Sequence, residues 1–169
     1  PNPIWQSHAA GHAARCAAQL WSTAGTRARA YLHTRGLFDD VLRAHNVGYN
    51  PSDIWEDHAW WGLPKPDHGA GDQGRKRIWL PRGITFPWYI NGGVWRLNIR
   101  RPLTPKEAAG GEPKYIGPAG FANALYNAGA LAPRHGTVPP AVLVEGEIDA
   151  LTIVQACGEE GAAVATGST

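Results

Sequence analysis

The chain has 169 residues, a net charge of +2, 43% hydrophobic residues and 18% charged residues, values that are typical of a soluble globular protein. It contains no apolar run of about eighteen residues, which excludes a membrane-spanning helix, and no secretion signal opens it. Two cysteines, Cys16 and Cys157, are too few for a disulfide framework and favour a reducing compartment, so we expect a cytoplasmic protein. Because no methionine occurs, we expect the chain to be a piece of a longer one.

Three helices are predicted in the first part of the chain. The alanine-rich stretch from Ser7 to Trp21 predicts a helix with Ser7 as its N-cap. A second helix is expected between Thr26 and Gly36, and a third begins at Asp39 or Asp40, so that helices lie within residues 7–46.

The first predicted helix carries His8, His12 and Cys16 at intervals of four residues, on one helix face. That spacing is compatible with zinc binding. No fourth ligand is apparent, so an ordinary helix face is the favoured interpretation and zinc is not expected.

Strands are predicted between residues 77 and 101, at residues 78–80, 83–89 and 94–101. The Asn91-Gly92 pair between apolar runs predicts a tight hairpin. In the last strand Arg96, Asn98 and Arg100 alternate with apolar residues, which predicts a basic, solvent-facing side of a small sheet. Residues 62–76 and 104–111 are expected to be loops, and residues 121–128 a short helix.

Positive charge is concentrated in the middle of the chain. Residues 75–114 contain nine Lys and Arg residues against Glu107 and Glu112, whereas residues 115–169 contain only Arg134 against five acids. A basic block followed by an acidic block is consistent with a phosphate-binding surface beside a metal-binding pocket.

The last part of the chain predicts a βαβ unit of a parallel sheet. Residues 141–144 form an apolar run typical of a strand covered on both faces. A helical stripe from Ile148 ends at Gly158, and residues 162–166 fit the next strand. Ligands of such sheets lie at the carboxyl ends of the strands, where Glu145 and residues 167–169 are located.

Residues 144–151 (VEGEIDAL) resemble the first motif of the TOPRIM domain, which primases, topoisomerases and some nucleases share. The resemblance implies that Glu145 is the catalytic glutamate and, with Asp149 and a later Asp-x-Asp pair that this chain lacks, holds Mg²⁺ or Mn²⁺. Carboxylates suit these hard cations, which neutralise charge during phosphoryl transfer. Glu147 has no role in that motif.

Residues 29–37 and 41–51 resemble the opening of the RNA-polymerase domain of DnaG-type primases, and residues 113–116 and 124–127 resemble later landmarks of that family, in the same order. The chain departs from the family after Lys114, where Gly117-Pro118 replaces Asn-Ser and a lysine-containing segment is absent. One nucleotide-contacting lysine of the resembled family therefore has no counterpart here.

Basic side chains are the predicted contacts to nucleic acid or nucleotides. Lys114 matches a lysine of the resembled family and Arg101 falls near one of its arginines. Arg96 and Arg100 are either contacts or an ordinary strand face. The cluster Arg75, Lys76 and Arg77 either grips phosphate or forms a solvated loop edge.

The predicted fold class is α+β leading into α/β, with N-terminal helices, a small mixed or antiparallel sheet and an incomplete TOPRIM βαβ unit. Residues 1–136 are expected to form a basic N-terminal subdomain, and residues 137–169 the start of a TOPRIM domain.

The resemblance implies part of a DNA primase, from a bacterium, phage or mobile element, that makes short RNA primers on single-stranded DNA from ribonucleoside triphosphates, with a fused or recruited helicase. We expect this piece to be inactive alone. The alternatives are another TOPRIM enzyme, either a nuclease or a topoisomerase, and a non-catalytic single-stranded DNA-binding module.

Overall fold

A computed structural model describes residues 1–65, 77–133, 135–158 and 160–167. Within these residues the helices and strands are, in chain order, α1 (Pro3–Trp21), α2 (Thr26–Thr34), α3 (Asp39–Ala44), β1 (Gly48–Asn50), β2 (Ile54–Glu56), β3 (Ile78–Leu80), β4 (Gly83–Ile90), β5 (Gly93–Arg100), α4 (Pro105–Ala109), β6 (Tyr115–Ile116), β7 (Ala141–Val144), α5 (Glu147–Cys157) and β8 (Ala162–Ala165). Within these ranges, no helix has the length and apolarity that crossing a bilayer requires.

Helix α1 begins four residues earlier than the sequence predicts. The side chain of Asn2 accepts a hydrogen bond from the backbone N–H of Trp5, and Pro3 occupies the first helical turn. Both residues suit these positions, because Asn is a good N-cap and Pro needs no N–H donor at a helix start. Because the helix starts at Pro3, the predicted cap Ser7 lies inside it. The earlier start also adds Trp5, which is fully buried, to the buried face of the helix.

The central sheet has the strand order β1-β4-β5-β6, and its three strand pairs are antiparallel. The predicted hairpin between β4 and β5 is confirmed. Asn91 and Gly92 have φ values of 48° and 78°, the left-handed conformations that a two-residue hairpin turn requires. This hairpin fixes the register that places Arg100 opposite Ile84 and Arg96 opposite Trp88.

The two faces of the central sheet pack against different parts of the chain. Leu97 and Ile99 point towards α1 and share an apolar cluster with Trp5. On the other face, Trp88 and Asn98 are fully buried. The expectation of a solvent-facing basic side was therefore wrong, because Glu147 of the βαβ unit bonds Trp88 and Asn98 on this face, and Arg96 and Arg100 are half-buried.

The predicted βαβ unit is present, with β7 parallel to β8 and α5 between them. Strand β8 is buried, but β7 is not covered on both faces as expected: Val142 is 45% and Leu143 is 63% exposed. Ile148 and Leu151 of α5 join Leu32 and Phe86 in one apolar cluster, so the βαβ unit and the N-terminal part of the chain share a core. The division of domains at residue 136 stays a prediction.

Two connecting segments differ from the expected structure. Residues 104–111 contain α4, which begins with a capping box in which the Thr104 side chain and the Glu107 side chain each bond the other's backbone N–H. Residues 121–128 do not form the expected helix. Instead Tyr126 makes an antiparallel bridge with Ala165, which extends the βαβ sheet by one residue of the preceding loop. Of the loop predicted at residues 62–76, residues 66–76 lie outside the described part.

Gly48 is required where α1 crosses β1. A Cβ atom at this position would lie 2.6 Å from the backbone carbon of Cys16 and 2.7 Å from the backbone nitrogen of Ala17. We expect Gly48→Ala to destabilise the protein by about 2–3 kcal/mol in urea unfolding, because the helix must move away from the sheet. Gly129→Ala is the matched control, since no atom lies within 4 Å of its added Cβ, and a change of no more than about 0.5 kcal/mol is expected. Equal effects at the two positions would contradict the close approach.

Candidate functional site

Two carboxylates lie at the carboxyl end of β7, where the chain turns into α5. Glu145 follows the strand directly, Gly146 is the N-cap of α5, and Asp149 lies in its first turn. The Asp149 side chain points back towards Gly146: a Cβ atom added to Gly146 would lie 3.4 Å from Asp149 Oδ2. Both carboxylates are thus held at the end of the sheet that βαβ folds use for ligands.

These carboxylates share a pocket of about 310 Å³ with basic side chains from three other parts of the chain. We call it the carboxylate pocket, and its lining consists of Arg35, Arg100, Lys114, Tyr115, Glu145, Gly146, Ile148 and Asp149. The structure therefore brings together four of the predicted site residues, Arg100, Lys114, Glu145 and Asp149. It adds Arg35, which was not a predicted site residue and lies in the segment 29–37 that carries the family resemblance.

The basic side of the carboxylate pocket is crowded with positive charge. The charge of Arg100, together with partial burial and the charge of Arg35, lowers the pKa of Lys114. Cations held this close repel one another, and an anionic ligand such as phosphate relieves the repulsion. The pocket is thus suited to an anion on the side of Lys114.

The opposite side of the pocket is suited to a hard divalent cation. Glu145 and Asp149 supply only oxygen donors, the type that Mg²⁺ and Mn²⁺ prefer. Two carboxylates are also the usual protein contribution to a Mg²⁺ ion that keeps several waters and binds substrate phosphate. The residues present therefore fit such an ion.

A second pocket, of about 520 Å³, adjoins the first through Arg100 and Lys114. We call it the basic pocket. Its charged lining residues are Arg27, Arg82, Arg100, Arg101 and Lys114, and its aromatic ones are Tyr31 and Tyr49. The Arg100 guanidinium lies 4.7 Å from the centroid of the Tyr31 ring, which fixes its direction between the two pockets. The two pockets form one basic surface that ends at the carboxylates.

Arg101 and Arg96 are more constrained than their positions in the sequence indicate. Arg101 is 11% exposed and pairs with Glu107 at 3.4 Å and Glu112 at 3.3 Å. Arg96 stacks on Trp88, donates a 2.7 Å hydrogen bond to Asn98, and burial lowers its pKa. Their predicted contacts to nucleic acid stay predictions.

The predicted tribasic cluster is described only at its last residue. Arg77 is exposed and pairs with Asp57 at 3.2 Å. Such a solvent-exposed ion pair contributes little to the stability of the fold. Arg75 and Lys76 lie outside the described residues. Arg77 lines neither pocket, and the contacts predicted for Arg75 and Lys76 stay predictions.

Glu147 is a buried residue that sequence reasoning left without a role. Its Oε1 accepts hydrogen bonds from Asn98 Nδ2 at 2.6 Å and Trp88 Nε1 at 3.1 Å. Burial raises the pKa of this carboxyl, although these bonds, its own backbone N–H and the charge of Arg96 oppose the rise. Glu147 therefore attaches the start of α5 to the central sheet and so positions Glu145 and Asp149 opposite the basic side chains.

The histidines of α1 face a carboxylate that the sequence did not connect with them. His8 and His12 both contact Glu56 of β2. Burial lowers the pKa of His12, helped by the charges of Arg15 and His8 and opposed by Glu56. Cys16, the third residue of the predicted pattern, is buried and does not belong to the group that His8 and His12 form with Glu56. Burial raises the pKa of its thiol to about 11.

Comparison with known proteins gives the fold of the chain. No protein-family model and no curated protein sequence matches it. Similar solved structures include a DnaG primase catalytic domain bound to single-stranded DNA, at 24% identity and a TM-score of 0.66, over 98% of this chain and 56% of that one. A DNA primase domain from Pseudomonas aeruginosa has 21% identity and a TM-score of 0.68, over 96% of this chain and 53% of that one.

A third similar structure is the RNA polymerase domain of Mycobacterium tuberculosis primase DnaG in complex with a double-stranded DNA oligomer with a 6-nucleotide overhang. It has 21% identity and a TM-score of 0.64, over 100% of this chain and 56% of that one. The chain thus spans about half the length of these structures. Its fold matches about half of each of these primase domains, and the match covers nearly the whole of this chain.

Proposed function

We propose that this chain is part of a primase catalytic core, which synthesises short RNA primers on single-stranded DNA by metal-dependent nucleotidyl transfer. The observation that carries the proposal is the carboxylate pocket, in which Glu145 and Asp149 face Arg35, Arg100 and Lys114. Phosphoryl transfer needs this combination, because charge on the transferring phosphate is stabilised by cations from both the protein and bound metal.

In this proposal the TOPRIM-like turn supplies the metal side of the site. Glu145 and Asp149 would hold Mg²⁺ or Mn²⁺, which neutralises charge on the reacting phosphate. Lys114 and Arg100 would bind the phosphates of the incoming ribonucleotide from the opposite side, and Arg35 would add a third positive charge. Glu145 and Asp149 are fewer carboxylates than the resembled TOPRIM site uses, so we expect the 169 residues alone to be inactive.

The adjoining basic pocket would hold the single-stranded template. Its arginines are placed to track phosphates, while Tyr31 and Tyr49 provide aromatic surface of the kind on which unpaired bases stack. Because the basic pocket shares Arg100 and Lys114 with the carboxylate pocket, the template would lead directly to the reacting phosphate. DNA-bound structures among the similar primase domains are consistent with such a surface.

Lys114 lines both pockets, and single-stranded DNA binding by the 169-residue protein tests whether it also contacts the template. We expect Lys114→Gln to weaken binding of an oligothymidylate about fivefold at ~0.1 M salt and to reduce the slope of log affinity against log salt by about 0.7, the value for one lost phosphate contact. Fluorescence anisotropy across a salt series measures both quantities.

Lys106→Gln removes the same charge from an exposed position on α4 that lies outside both pockets, and it is the matched control. It keeps net charge equal between the two variants. Equal loss of affinity in both would mean that general charge, and not the site at Lys114, attracts the DNA.

A further inference from the structure

Two histidines of α1 and one glutamate of β2 form a side-chain cluster separate from both pockets described above. His8 Nε2 lies 2.8 Å from Glu56 Oε2, and His12 Nε2 lies 2.9 Å from the same oxygen and 3.0 Å from Oε1. We call it the His-Glu-His cluster. The four-residue spacing puts both rings on one face of α1, so each directs a nitrogen to the same carboxylate.

The His-Glu-His cluster is held rigidly at the edge of the core. The side chains of His12 and Glu56 are 3% and 10% exposed, whereas that of His8 is 28% exposed. Trp61 donates a 2.9 Å hydrogen bond from Nε1 to Glu56 Oε2, and its ring stacks on His12 with an interplanar angle of 9°. Such outer contacts orient metal ligands in proteins, because they fix the carboxylate and the ring before an ion arrives.

The donor set and its size match a transition-metal site. Two imidazole nitrogens and one carboxylate are the protein ligands of a common class of zinc site, which leaves a fourth position for water. The ligand atoms all lie within 4.8 Å of one another, and a tetrahedral zinc ion with bonds of ~2.0–2.1 Å needs separations of about 3.3 Å. Small side-chain movements therefore suffice to admit an ion between the rings and the carboxylate.

The cluster also has an access route. His8 lines a surface groove of about 560 Å³ together with Ser7, Gly11 and Arg15. The fourth position of a metal ion held by the cluster would be reached through this groove. Arg15 in this groove repels cations. Binding of a cation would therefore rest on the two nitrogens and the carboxylate, and not on a general negative charge.

We propose that His8, His12 and Glu56 bind one zinc-class divalent cation that joins α1 to β2. This ion is distinct from the Mg²⁺ or Mn²⁺ proposed for Glu145 and Asp149, because nitrogen ligands select zinc-class ions over these hard cations. Bound there, the ion would link α1, whose other contacts include the central sheet, to the strand pair β2-β3.

Metal titration of chelator-treated protein tests the proposal independently of DNA binding or catalysis. The parent protein and all variants carry Cys157→Ser, because Cys157 is a free, exposed thiol and thiolates are zinc ligands. We expect isothermal titration calorimetry to give one Zn²⁺ per chain, excess Zn²⁺ to raise the melting temperature, and Co²⁺ to produce the visible absorption of a four-coordinate site. Binding only to the folded protein accounts for the rise in melting temperature.

His8→Gln is the informative variant, because His8 is the most exposed ligand and its loss leaves the buried His12-Glu56 contact in place. We expect at least about a hundredfold weaker Zn²⁺ binding, since even residues behind the ligands change metal affinity about 10–100-fold. His33→Gln is the control: it breaks another 2.8 Å histidine–carboxylate contact, the exposed pair with Asp39. No stoichiometric Zn²⁺ binding by the parent protein, or equal binding by His8→Gln and the parent, would overturn the proposal.

Discussion

Under the proposed function, we expect Glu145→Gln to remove template-dependent primer synthesis by the primase of which this chain would form part. Glutamine keeps the size of the side chain but loses the charge that would hold the metal ion. A loss of at least about a hundredfold in ribonucleotide incorporation is expected, because a ligand matters more than the surrounding residues whose mutation costs about 10–100-fold. The assay measures labelled RNA products on single-stranded DNA in the presence of Mg²⁺ or Mn²⁺.

Glu160→Gln is the matched control for this experiment. Glu160 is an exposed glutamate of the same βαβ unit, located between α5 and β8, away from the carboxylate pocket. We expect it to retain full incorporation, and we expect both variants to bind single-stranded DNA like the parent protein. Incorporation by Glu145→Gln at the parental rate would contradict the assignment.

Measurements of DNA binding and DNA cleavage on the same two proteins separate the alternative functions. No products from the parent protein, with single-stranded DNA binding retained, would favour a non-catalytic binding module. Cleavage or relaxation of DNA that is lost in Glu145→Gln would instead favour a nuclease or topoisomerase. Each outcome is distinguishable because binding, incorporation and cleavage are measured on the same two proteins.

The features that the sequence predicted correctly depend on neighbouring residues. The Asn91-Gly92 turn determines the β4–β5 hairpin, because few other residue pairs adopt two consecutive positive φ angles. The βαβ unit was likewise predicted from short apolar runs and from Gly146 and Gly158 at the two ends of α5. Glu145 could be placed at a ligand-binding edge for the same reason.

The features that the sequence did not predict depend on distant contacts. Glu147 bonds Asn98 and Trp88, which are 49 and 59 residues away, and no local pattern indicates such partners. The same holds for Glu56, 44 residues from His12. Alternation in β5 correctly separated its two faces, but it could not tell that a later unit covers the face that carries Arg96.

Errors at element boundaries have local physical causes. An alanine-rich stripe indicates a helix from Ser7, whereas the Asn2-Pro3 pair is the stronger start signal and lies before that stripe. An apolar run suggested that β7 is covered on both faces. Apolar composition reports the tendency of a strand to be buried, but it does not reveal which covering elements a given chain contains.

Replacing Glu147 is expected to cause the largest loss of stability among the proposed variants. In Glu147→Ala the indole N–H of Trp88 and the amide of Asn98 lose their acceptor while they remain buried. Each unpaired buried donor costs ~1–3 kcal/mol, so we expect a loss of about 4 kcal/mol in the free energy of unfolding. Urea unfolding monitored by tryptophan fluorescence measures this loss.

Glu147→Gln is the matched variant, because its side-chain oxygen retains both hydrogen bonds. Burial raises the pKa of the Glu147 carboxyl in the folded protein, so the parent protein loses stability as pH rises from 4.5, the ordinary value, through the raised value. Above 4.5 the unfolded chain releases this proton before the folded protein does. Glutamine does not titrate, so its stability relative to the parent should increase over the same range. A loss in Glu147→Gln as large as that in Glu147→Ala would mean that the two hydrogen bonds do not hold α5 on the sheet.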